Sequence, residues 1–380
     1  MSVILRKYSV AENILAISNH AEILGGGELS FYDLMTRPPD SWNPLVLLPS
    51  RGELADKFKD TKIDVQFVPL PPLRPWTIDR SMTAVIRILR TCSNRRISLI
   101  YGNGSRAAFY GGIAGILLRI PLVWHCRVAD RDPCLDAIIT ALTRRIVANS
   151  AATASRFPGR VQSKVSVVHN GIDLEWFADP VEIPSSYHYD PAWKLILIVA
   201  RVSHWKRHDV ALSAFESAAG DDPTVHLVCI GASDHAEPGW WSLLQERTRR
   251  SPFAGRIHWL GKIEDVRPWY QRATLLWLAS ENEPFGRVLV EAMASGLPVI
   301  ATRGGGVPEI VRHEREGLLV KTGDASELAA ATKRMLSDEL FRLRLSRSAK
   351  DRANAFSIDS HVLSMTRIFQ TVLRERGARR

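Results

Sequence analysis

The sequence contains few cysteines, and none stands in a pattern that usually gives cysteine a role. The four are Cys92, Cys126, Cys134 and Cys229. No two form a CxxC pair, and no histidines accompany them at the spacing of a zinc site. We therefore predict neither a disulfide framework nor a structural zinc site, and expect reduced thiols.

Long apolar runs are also missing. No stretch reaches the roughly 18–20 apolar residues of a membrane-spanning helix, and the N-terminus lacks the apolar core and cleavage site of a signal peptide. We therefore expect a cytoplasmic protein. The chain has 380 residues, too many for one ordinary core, so we expect two domains. With 46% hydrophobic and 24% charged residues, the composition is typical of a globular protein.

Acidic residues are outnumbered, with 40 Asp and Glu against 50 Lys and Arg, so the formal net charge is +10. This balance favours anionic partners such as phosphorylated substrates, acidic lipid or nucleic acid. No zinc-finger, RNA-recognition or long Lys/Arg motif is present, and specific nucleic-acid binding is not expected.

Short apolar runs alternate with amphipathic stretches along most of the chain. The runs that predict strands are Ile14–Ser18, Leu45–Leu48, Val65–Val68, Leu99–Tyr101, Leu122–His125, Ile146–Ala148, Val165–Val168, Leu195–Ala200, Val225–Ile230, Ile257–Leu260, Leu275–Leu278, Pro298–Ala301 and Leu318–Val320. Such a βα repeat predicts an α/β protein with parallel sheets covered by helices on both faces.

The alternation is interrupted once, by a proline-rich stretch after Phe177. We predict a linker at about 179–192, between a Rossmann-like, doubly wound domain at 1–178 and a second one at 193–356. Residues 357–380 are predicted to form a helix that packs back on the first domain. Because ligands bind at the carboxyl ends of parallel strands, two facing domains would form a cleft for two substrates.

The densest group of polar and glycine residues lies at 280–311. Pro284 and Gly286 predict a turn after a buried strand, followed by a helix from Arg287. The backbone N–H groups of Phe285, Gly286 and Arg287 would then lie at a helix N-terminus, which favours a bound phosphate.

Two acids flank this turn, Glu283 before it and Glu291 in the helix that follows it. A carboxylate close to a phosphate is unfavourable unless it also binds another group, and sugar or ribose hydroxyls are suitable hydrogen-bond donors to it. The alternative is an ordinary strand–helix turn with surface acids. A second glycine turn at 303–306 would allow close backbone approach to a ligand.

Two cations, Arg201 and Lys206, follow the first strand of the second domain. At a strand's carboxyl end they could neutralise a diphosphate as charge develops on the leaving oxygen. The alternative is a solvated basic loop, which the apolar Trp205 between them does not favour.

These motifs together resemble a known family. Glu283 and Glu291 form an E-x7-E pair within EPFGRVLVEAMASGLPVIAT, which closely resembles the retaining glycosyltransferases of family 4, with the GT-B fold. GGGVPEI resembles that family's GG-x-x-E element, and VARVSHWKRHD its R-x4-K element. HNGID at 169–173 and GGGE at 25–28 resemble further elements, in the family's order.

The resemblance implies transfer of a sugar from a UDP- or GDP-sugar to a hydroxyl of a glycan or lipid-linked acceptor. It implies retention of anomeric configuration, no cofactor and no metal, and a role in surface polysaccharide or glycoconjugate synthesis. It further implies that Glu291 binds the ribose, that Glu283 contacts the donor sugar, and that backbone at Lys262–Ile263 contacts the base.

Two other functions remain open. One is a different GT-B enzyme, such as a nucleotide-sugar epimerase or a phosphorylase, although no signature of a pyridoxal-phosphate lysine is visible. The other is a non-catalytic sugar-nucleotide-binding protein.

The first domain contributes its own candidates. Gly26 and Gly27 follow the first predicted strand and could approach a phosphate or sugar closely. The pattern is not G-x-G-x-x-G, so a nicotinamide site is not predicted. His125 ends a predicted strand; it could be a structural histidine, but the resemblance implies that it hydrogen-bonds the donor sugar or orients the acceptor.

We expect Asn103, Arg127 and Asp130 to contact the acceptor. Asp130 and Asp132 form a D-x-D that holds a metal in a different glycosyltransferase fold, but with Arg201 and Lys206 available no metal is predicted.

Residues 74–96 contain six arginines and one acid, with apolar side chains between them. This stretch could contact anionic lipid, or it could be an ordinary solvated helix. If the acceptor is lipid-linked, the basic face would help to recruit it, at the inner face of a membrane.

Overall fold

The computed structural model describes residues 11–187, 189–220 and 222–378. The chain forms two compact units, one comprising Met1–Gly171 with Ile358–Arg380 and the other Ile172–Ser357. Among the described residues, no helix has both the length and the apolar character needed to cross a membrane.

The first unit contains a seven-stranded, all-parallel sheet in its described part. Its strand order is β3-β2-β1-β4-β5-β6-β7. The strands are β1 Glu12–Ser18, β2 Trp42–Leu48, β3 Asp64–Phe67, β4 Leu99–Asn103, β5 Leu122–Cys126, β6 Arg145–Ala148 and β7 Val165–Val167. The central strands are short apolar runs buried on both faces, as expected of a parallel sheet between helices.

Helices cover both faces of this sheet. They are α1 Gly26–Thr36, α2 Glu53–Phe58, α3 Ile78–Asn94, α4 Ser105–Leu118, α5 Pro133–Leu142 and α6 Ala151–Ala154. One apolar cluster lies between the sheet and helices α3, α4 and α5, and a second lies under α1 and the C-terminal helix.

In its described residues, the second unit contains a six-stranded parallel sheet in the order β10-β9-β8-β11-β12-β13. The strands are β8 Lys194–Val199, β9 Val225–Ile230, β10 Ile257–Gly261, β11 Leu275–Leu278, β12 Val299–Thr302 and β13 Gly317–Val320. The helices are α7 Leu174–Ala178, α8 His208–Ala218, α9 Pro238–Arg250, α10 Arg267–Arg272, α11 Arg287–Ala294, α12 Val307–Ile310, α13 Ala325–Ser337 and α14 Glu339–Ala353. The predicted strands are confirmed in both units.

Helix starts follow local capping chemistry. Four helices are preceded by an aspartate whose side chain accepts a hydrogen bond from the backbone N–H three residues later. This bond satisfies a donor that the helix leaves unpaired. These aspartates are Asp132 before α5, Asp173 before α7, Asp324 before α13 and Asp338 before α14.

The stretch predicted as a linker belongs to the second unit. Its side chains pack on that unit's core; the Tyr187 ring, for example, lies edge-on to Trp269 with centroids 5.4 Å apart. The chain enters and leaves this unit at Ile172 and Ser357, which are paired in a β-bridge. The boundary between the units therefore lies before Ile172, and not in the proline-rich stretch that the composition indicated. That stretch belongs to the second unit because contacts such as that of Tyr187 with Trp269 pack it on the core.

The C-terminal helix, α15 Ile358–Gly377, packs on the first unit. Phe369 is fully buried, and its ring lies 4.8 Å from that of Trp42. At the far end of the helix, Glu375 forms ion pairs with Arg144 and Arg145, at 2.5 and 2.9 Å.

Candidate active site

Lys206 and Glu283 form a shielded ion pair in the second unit. The ammonium Nζ lies 2.7 Å from Glu283 Oε2, and the two side chains are 13% and 11% exposed. Lys206 also lies over the Trp205 ring, 3.9 Å from its centroid, a favourable cation–π contact. The loops after β8 and β11 thus bring together two residues that are 77 positions apart.

A glycine turn holds the Glu283 loop in place. The N–H of Gly306 donates to the Glu283 carbonyl at 2.8 Å. Gly305 has φ +58°, and a Cβ atom there would lie 2.1 Å from the same carbonyl oxygen. The close approach that these glycines permit is therefore to the chain's own backbone.

The predicted helix after the turn is confirmed as α11. Gly286, with φ +95°, precedes Arg287. The Phe285 side chain is buried in the apolar core against Phe356, so only its backbone can face a ligand.

Glu291 is buried within α11, and protein donors contact both of its oxygens. Arg287 Nε donates to Oε1 at 2.7 Å, and the Tyr270 hydroxyl donates to Oε2 at 2.9 Å. Burial and the Glu291 charge hold the Tyr270 pKa well above its usual range. Since each carboxylate oxygen has two lone pairs, the carboxylate keeps capacity to accept further hydroxyls.

Arg201 has a different partner from Lys206. Its Nε lies 3.4 Å from Asp234 Oδ2, on the loop after β9. The two loops are joined by backbone hydrogen bonds from Val202 to Ala232 and from Asp234 to Val202. Ile263 packs against the unit's apolar cluster.

In the first unit, Arg127 connects the ends of several strands. Its Nε donates to Asn103 Oδ1 at 2.7 Å, and a terminal nitrogen donates to the Asn170 side chain. Its other terminal nitrogen lies 3.4 Å from the Tyr101 hydroxyl and 3.3 Å from His125 Nδ1. All these partners are neutral, so the contacts described leave the positive charge uncompensated.

His125 is fully buried beneath this arginine. The Tyr101 hydroxyl lies 2.7 Å from Nδ1, and because a guanidinium only donates, Nδ1 must accept. The proton therefore sits on Nε2, which has no hydrogen-bond partner within the described residues. Burial, the Arg127 charge and His361 hold the His125 pKa well below its usual range, so the ring is neutral.

The remaining predicted residues of the first unit lie nearby or on the surface. Gly26 is the first residue of α1, and a Cβ on Gly27 would lie 3.4 Å from Arg127 Cδ. Asp130 is exposed, and Asp132 caps α5. Within the described part of the chain, no group of three or more His, Cys, Asp or Glu side chains is arranged to hold a metal ion.

Sequence reasoning missed several partners in these clusters. Tyr101, Asn170, Asp234 and Tyr270 each hold a predicted site residue. A polar signal was visible for Asn170, within HNGID, and for Asp234, four residues after an apolar strand. For Tyr270 there was none, because it stands in a short helix without a motif.

Two family models match the chain. One, described as Glycosyltransferase Family 4, matches residues 24–176, and the other, described as Glycosyl transferases group 1, matches residues 193–338. The chain belongs to glycosyltransferase family 4. The motifs at 25–28, 201–206 and 283–309 fall within the matched regions, and the resemblance read from them is confirmed.

Curated proteins similar to this chain match somewhat more than half of it. N-acetyl-α-D-glucosaminyl L-malate synthase from Bacillus anthracis is 28% identical over 56% of this chain and 55% of its own length. The lipopolysaccharide core biosynthesis mannosyltransferase LpsB from Rhizobium meliloti is 25% identical over 59% and 65%. A D-inositol 3-phosphate glycosyltransferase from a Nocardioides species is 30% identical over 51% and 46%. The chain thus spans about half to two thirds of these relatives.

Solved structures confirm the fold over nearly the whole chain. HepE from Anabaena, crystallised with UDP, superposes with a TM-score of 0.81 at 23% identity, covering 94% of this chain and all of that one. A sucrose-phosphate synthase from Thermosynechococcus elongatus gives a TM-score of 0.79 at 20% identity, covering 96% of this chain and all of that one. The two parallel α/β sheets are those of the GT-B fold.

Proposed function

We propose that this family 4 protein transfers a sugar from a UDP- or GDP-sugar to a hydroxyl of a glycan or lipid-linked acceptor. The observation that carries the proposal is the shielded ion pair between Lys206 of the R-x4-K element and Glu283 of the E-x7-E motif. It places a cation and a hydroxyl-binding carboxylate side by side, as a sugar phosphate requires.

The pair can bind both parts of a donor. Lys206 has three N–H donors and uses one on Glu283, which leaves others for the diphosphate. Glu283 accepts Lys206 through Oε2, and its Oε1 is assigned to a hydroxyl of the donor sugar. We assign the ribose to Glu291, whose two protein donors fix its orientation.

The comparisons favour this donor class. HepE was solved with UDP and with UDP-glucose, which supports a uridine donor. LpsB is named for the lipopolysaccharide core, which supports a glycan acceptor and a role in surface polysaccharide synthesis.

We propose that transfer retains the anomeric configuration. The bond from the anomeric carbon to the diphosphate oxygen breaks, and the acceptor hydroxyl oxygen bonds to that carbon on the same face. The departing phosphate oxygen takes the hydroxyl proton. Lys206 and Arg201 would stabilise the charge that develops on the phosphate, so no metal ion is needed.

In the first unit, we assign the sugar or acceptor contact to His125 Nε2–H. A neutral imidazole suits hydrogen bonding rather than proton transfer, and this donor lacks a partner among the described residues. Because the ring is fully buried, such a contact requires the covering side chains to move. Arg127, Asn103, Gly26 and Gly27 would line the same end of the sheet.

The test is nucleotide binding and transfer in Lys206→Met, with Lys194→Met as the matched control. Lys194 also pairs with a carboxylate, Asp222, at 2.8 Å, but on the surface of the same unit. UDP or GDP at about 100 times Kd should stabilise the wild type by about 2.7 kcal/mol. We expect Lys206→Met to lose most of this thermal shift and to slow transfer by about a hundredfold or more, while Lys194→Met keeps both.

Equal thermal shifts in the two variants would contradict the phosphate role of Lys206. Release of free nucleotide should also depend on an acceptor. Interconversion of the nucleotide-sugar without release would instead identify an epimerase, and binding without either reaction would identify a non-catalytic binding protein.

A chelator distinguishes the metal-free mechanism from one in which a metal ion bound by Asp130 and Asp132 assists transfer. Treatment with EDTA should leave the transfer rate unchanged, since the proposed charge stabilisation comes from Arg201 and Lys206. Loss of activity that Mn²⁺ or Mg²⁺ restores would refute this part of the proposal and would point to Asp130 and Asp132.

A further inference from the structure

The turn before α3 and the helix itself expose a row of large apolar side chains. Trp76, Ile78, Met82 and Ile86 are 75%, 62%, 59% and 44% exposed. Residues 78, 82 and 86 are four apart and therefore lie one above another on the helix. Isolated apolar side chains are normal on a protein surface, but a continuous row indicates an interaction site.

A basic row lies beside the apolar one. Arg80, Arg87 and Arg90 are all exposed, and their spacing of seven and three residues places them on one side of the helix. None of the three forms an ion pair with a carboxylate in the described part of the chain. Asp79 is the only acid of α3, so the surface has a strong positive charge.

The helix is anchored by a separate face. Ala84, Ile88 and Cys92 are buried in the core between α3 and the sheet. The exposed apolar row is therefore separate from the buried row that packs α3 on the sheet. No part of the first unit covers the exposed row in the described residues.

Hydrogen bonds fix this surface at the carboxyl edge of the sheet. Arg106, in the first turn of α4, donates to the Leu70 carbonyl at 3.1 Å, and the Tyr110 hydroxyl donates to the Pro71 carbonyl at 3.0 Å. Helix α4 begins directly after β4, at the edge where Asn103 and Arg127 lie. Trp76 and Met82 thus lie on the side of the unit that holds the candidate acceptor residues.

We propose that this surface, the α3 face, docks the protein on an anionic lipid bilayer. The α3 face comprises Trp76, Ile78, Met82 and Ile86 with Arg80, Arg87 and Arg90. Arginines attract anionic headgroups while apolar and tryptophan side chains enter the headgroup region. A second copy of the chain is a poor occupant, because a two-fold contact would bring one arginine row against the other.

The docking proposal concerns where the protein lies and does not depend on the sugar-transfer chemistry. It adds that a lipid-linked acceptor would be held beside the carboxyl edge of the first sheet. The experiment therefore measures membrane binding alone.

Vesicle flotation of the full-length protein tests the charge contribution. We expect it to float with vesicles of equal parts phosphatidylcholine and phosphatidylglycerol and to bind pure phosphatidylcholine weakly. Arg80→Glu/Arg87→Glu/Arg90→Glu should lower the partition coefficient about a hundredfold or more, since each arginine near the surface contributes about 1 kcal/mol. The matched control is Lys333→Glu/Arg347→Glu/Lys350→Glu, three exposed cations of the second unit.

Both triple variants lower the formal net charge by six from +10, so only the location of the charge differs.

The apolar contribution is tested with Trp76→Ala/Met82→Ala against Leu243→Ala/Leu340→Ala, which also removes two exposed apolar side chains. We expect the first pair to weaken binding about tenfold and the second to leave it unchanged. Circular dichroism and the UDP thermal shift verify that each variant is folded.

Three results would overturn the proposal. The wild type could fail to float with the anionic vesicles, or the two triple variants could lose binding equally, which would reduce the effect to net charge. Binding to duplex DNA or RNA that the α3 variants abolish, with vesicle binding unaffected, would assign the surface to nucleic acid instead.

Discussion

At the scale of single residues, His208 is a buried titratable side chain without hydrogen-bond support. It is the first residue of α8, is 1% exposed, and neither ring nitrogen has a partner among the described residues. Burial, together with the Lys206 charge, lowers its pKa to about 4. The folded state therefore keeps this ring neutral where an unfolded chain would protonate it.

This arrangement predicts a loss of stability in acid. The unfolded state binds the proton below pH 6.5, but the folded state binds it only near pH 4. Protonation of His208 therefore leaves the free energy of unfolding unchanged above pH 6.5 and lowers it progressively as the pH falls from 6.5 to 4. The total effect is about 3 kcal/mol. His208→Phe, which removes the proton site, should flatten the fall in free energy of unfolding between pH 6.5 and 4, as measured by urea denaturation.

His125 and His226 also have lowered pKa values, so the comparison with the wild type at each pH isolates His208. An unchanged pH dependence in His208→Phe would show that the ring binds a proton as readily in the folded protein as in the unfolded chain, and would contradict the lowered pKa.

At the scale of elements, the turn between β12 and α12 sets the position of Glu283. The N–H of Gly306 donates to the Glu283 carbonyl, while Gly305 adopts a left-handed conformation directly against that carbonyl. The local sequence predicted a glycine turn after a strand. The contact with another loop arises because β11 and β12 are neighbours in the sheet, so that both loops leave from one edge.

Gly305→Ala should therefore destabilise the second unit and displace Glu283. We expect a loss of about 1–3 kcal/mol from the strained backbone and weaker binding of the donor. Gly255→Ala is the matched control, because a Cβ there meets nothing within 4 Å. Thermal unfolding and nucleotide titration measure the two effects, and a Gly305→Ala protein with wild-type donor affinity would refute the positioning role.

At the scale of the whole molecule, the C-terminal helix completes the first unit from a distant part of the chain. Phe369 lies against both Trp42 and Tyr101, with ring centroids 4.8 and 5.6 Å away. Tyr101 in turn holds His125 through a 2.7 Å contact. The last helix thus supports the residues at the end of the first sheet.

Phe369→Ala should destabilise the first unit by about 3–5 kcal/mol, the usual cost of removing a buried phenylalanine. Leu363→Ala, on an exposed position of the same helix, should have little effect. Limited proteolysis with mass spectrometry should show earlier cleavage within residues 11–171 while the second unit stays protected. Simultaneous loss of both units would contradict the assignment of this helix.

The sequence by itself determined the elements, the fold class and the family. Strand and helix positions follow from apolar periodicity and capping residues, which are local. The E-x7-E, R-x4-K and glycine motifs also lie within short segments, and they predicted the family that the models match.

Only the tertiary structure decided the partners and the burial of the site residues. The sequence placed Arg201 and Lys206 together as two phosphate-binding cations, whereas the structure pairs Arg201 with Asp234 and Lys206 with Glu283. It predicted His125 at a strand end, but not its enclosure under Arg127. These contacts join loops that follow neighbouring strands far apart in the chain, and strand order in a sheet is set by packing of the whole unit rather than by any local pattern.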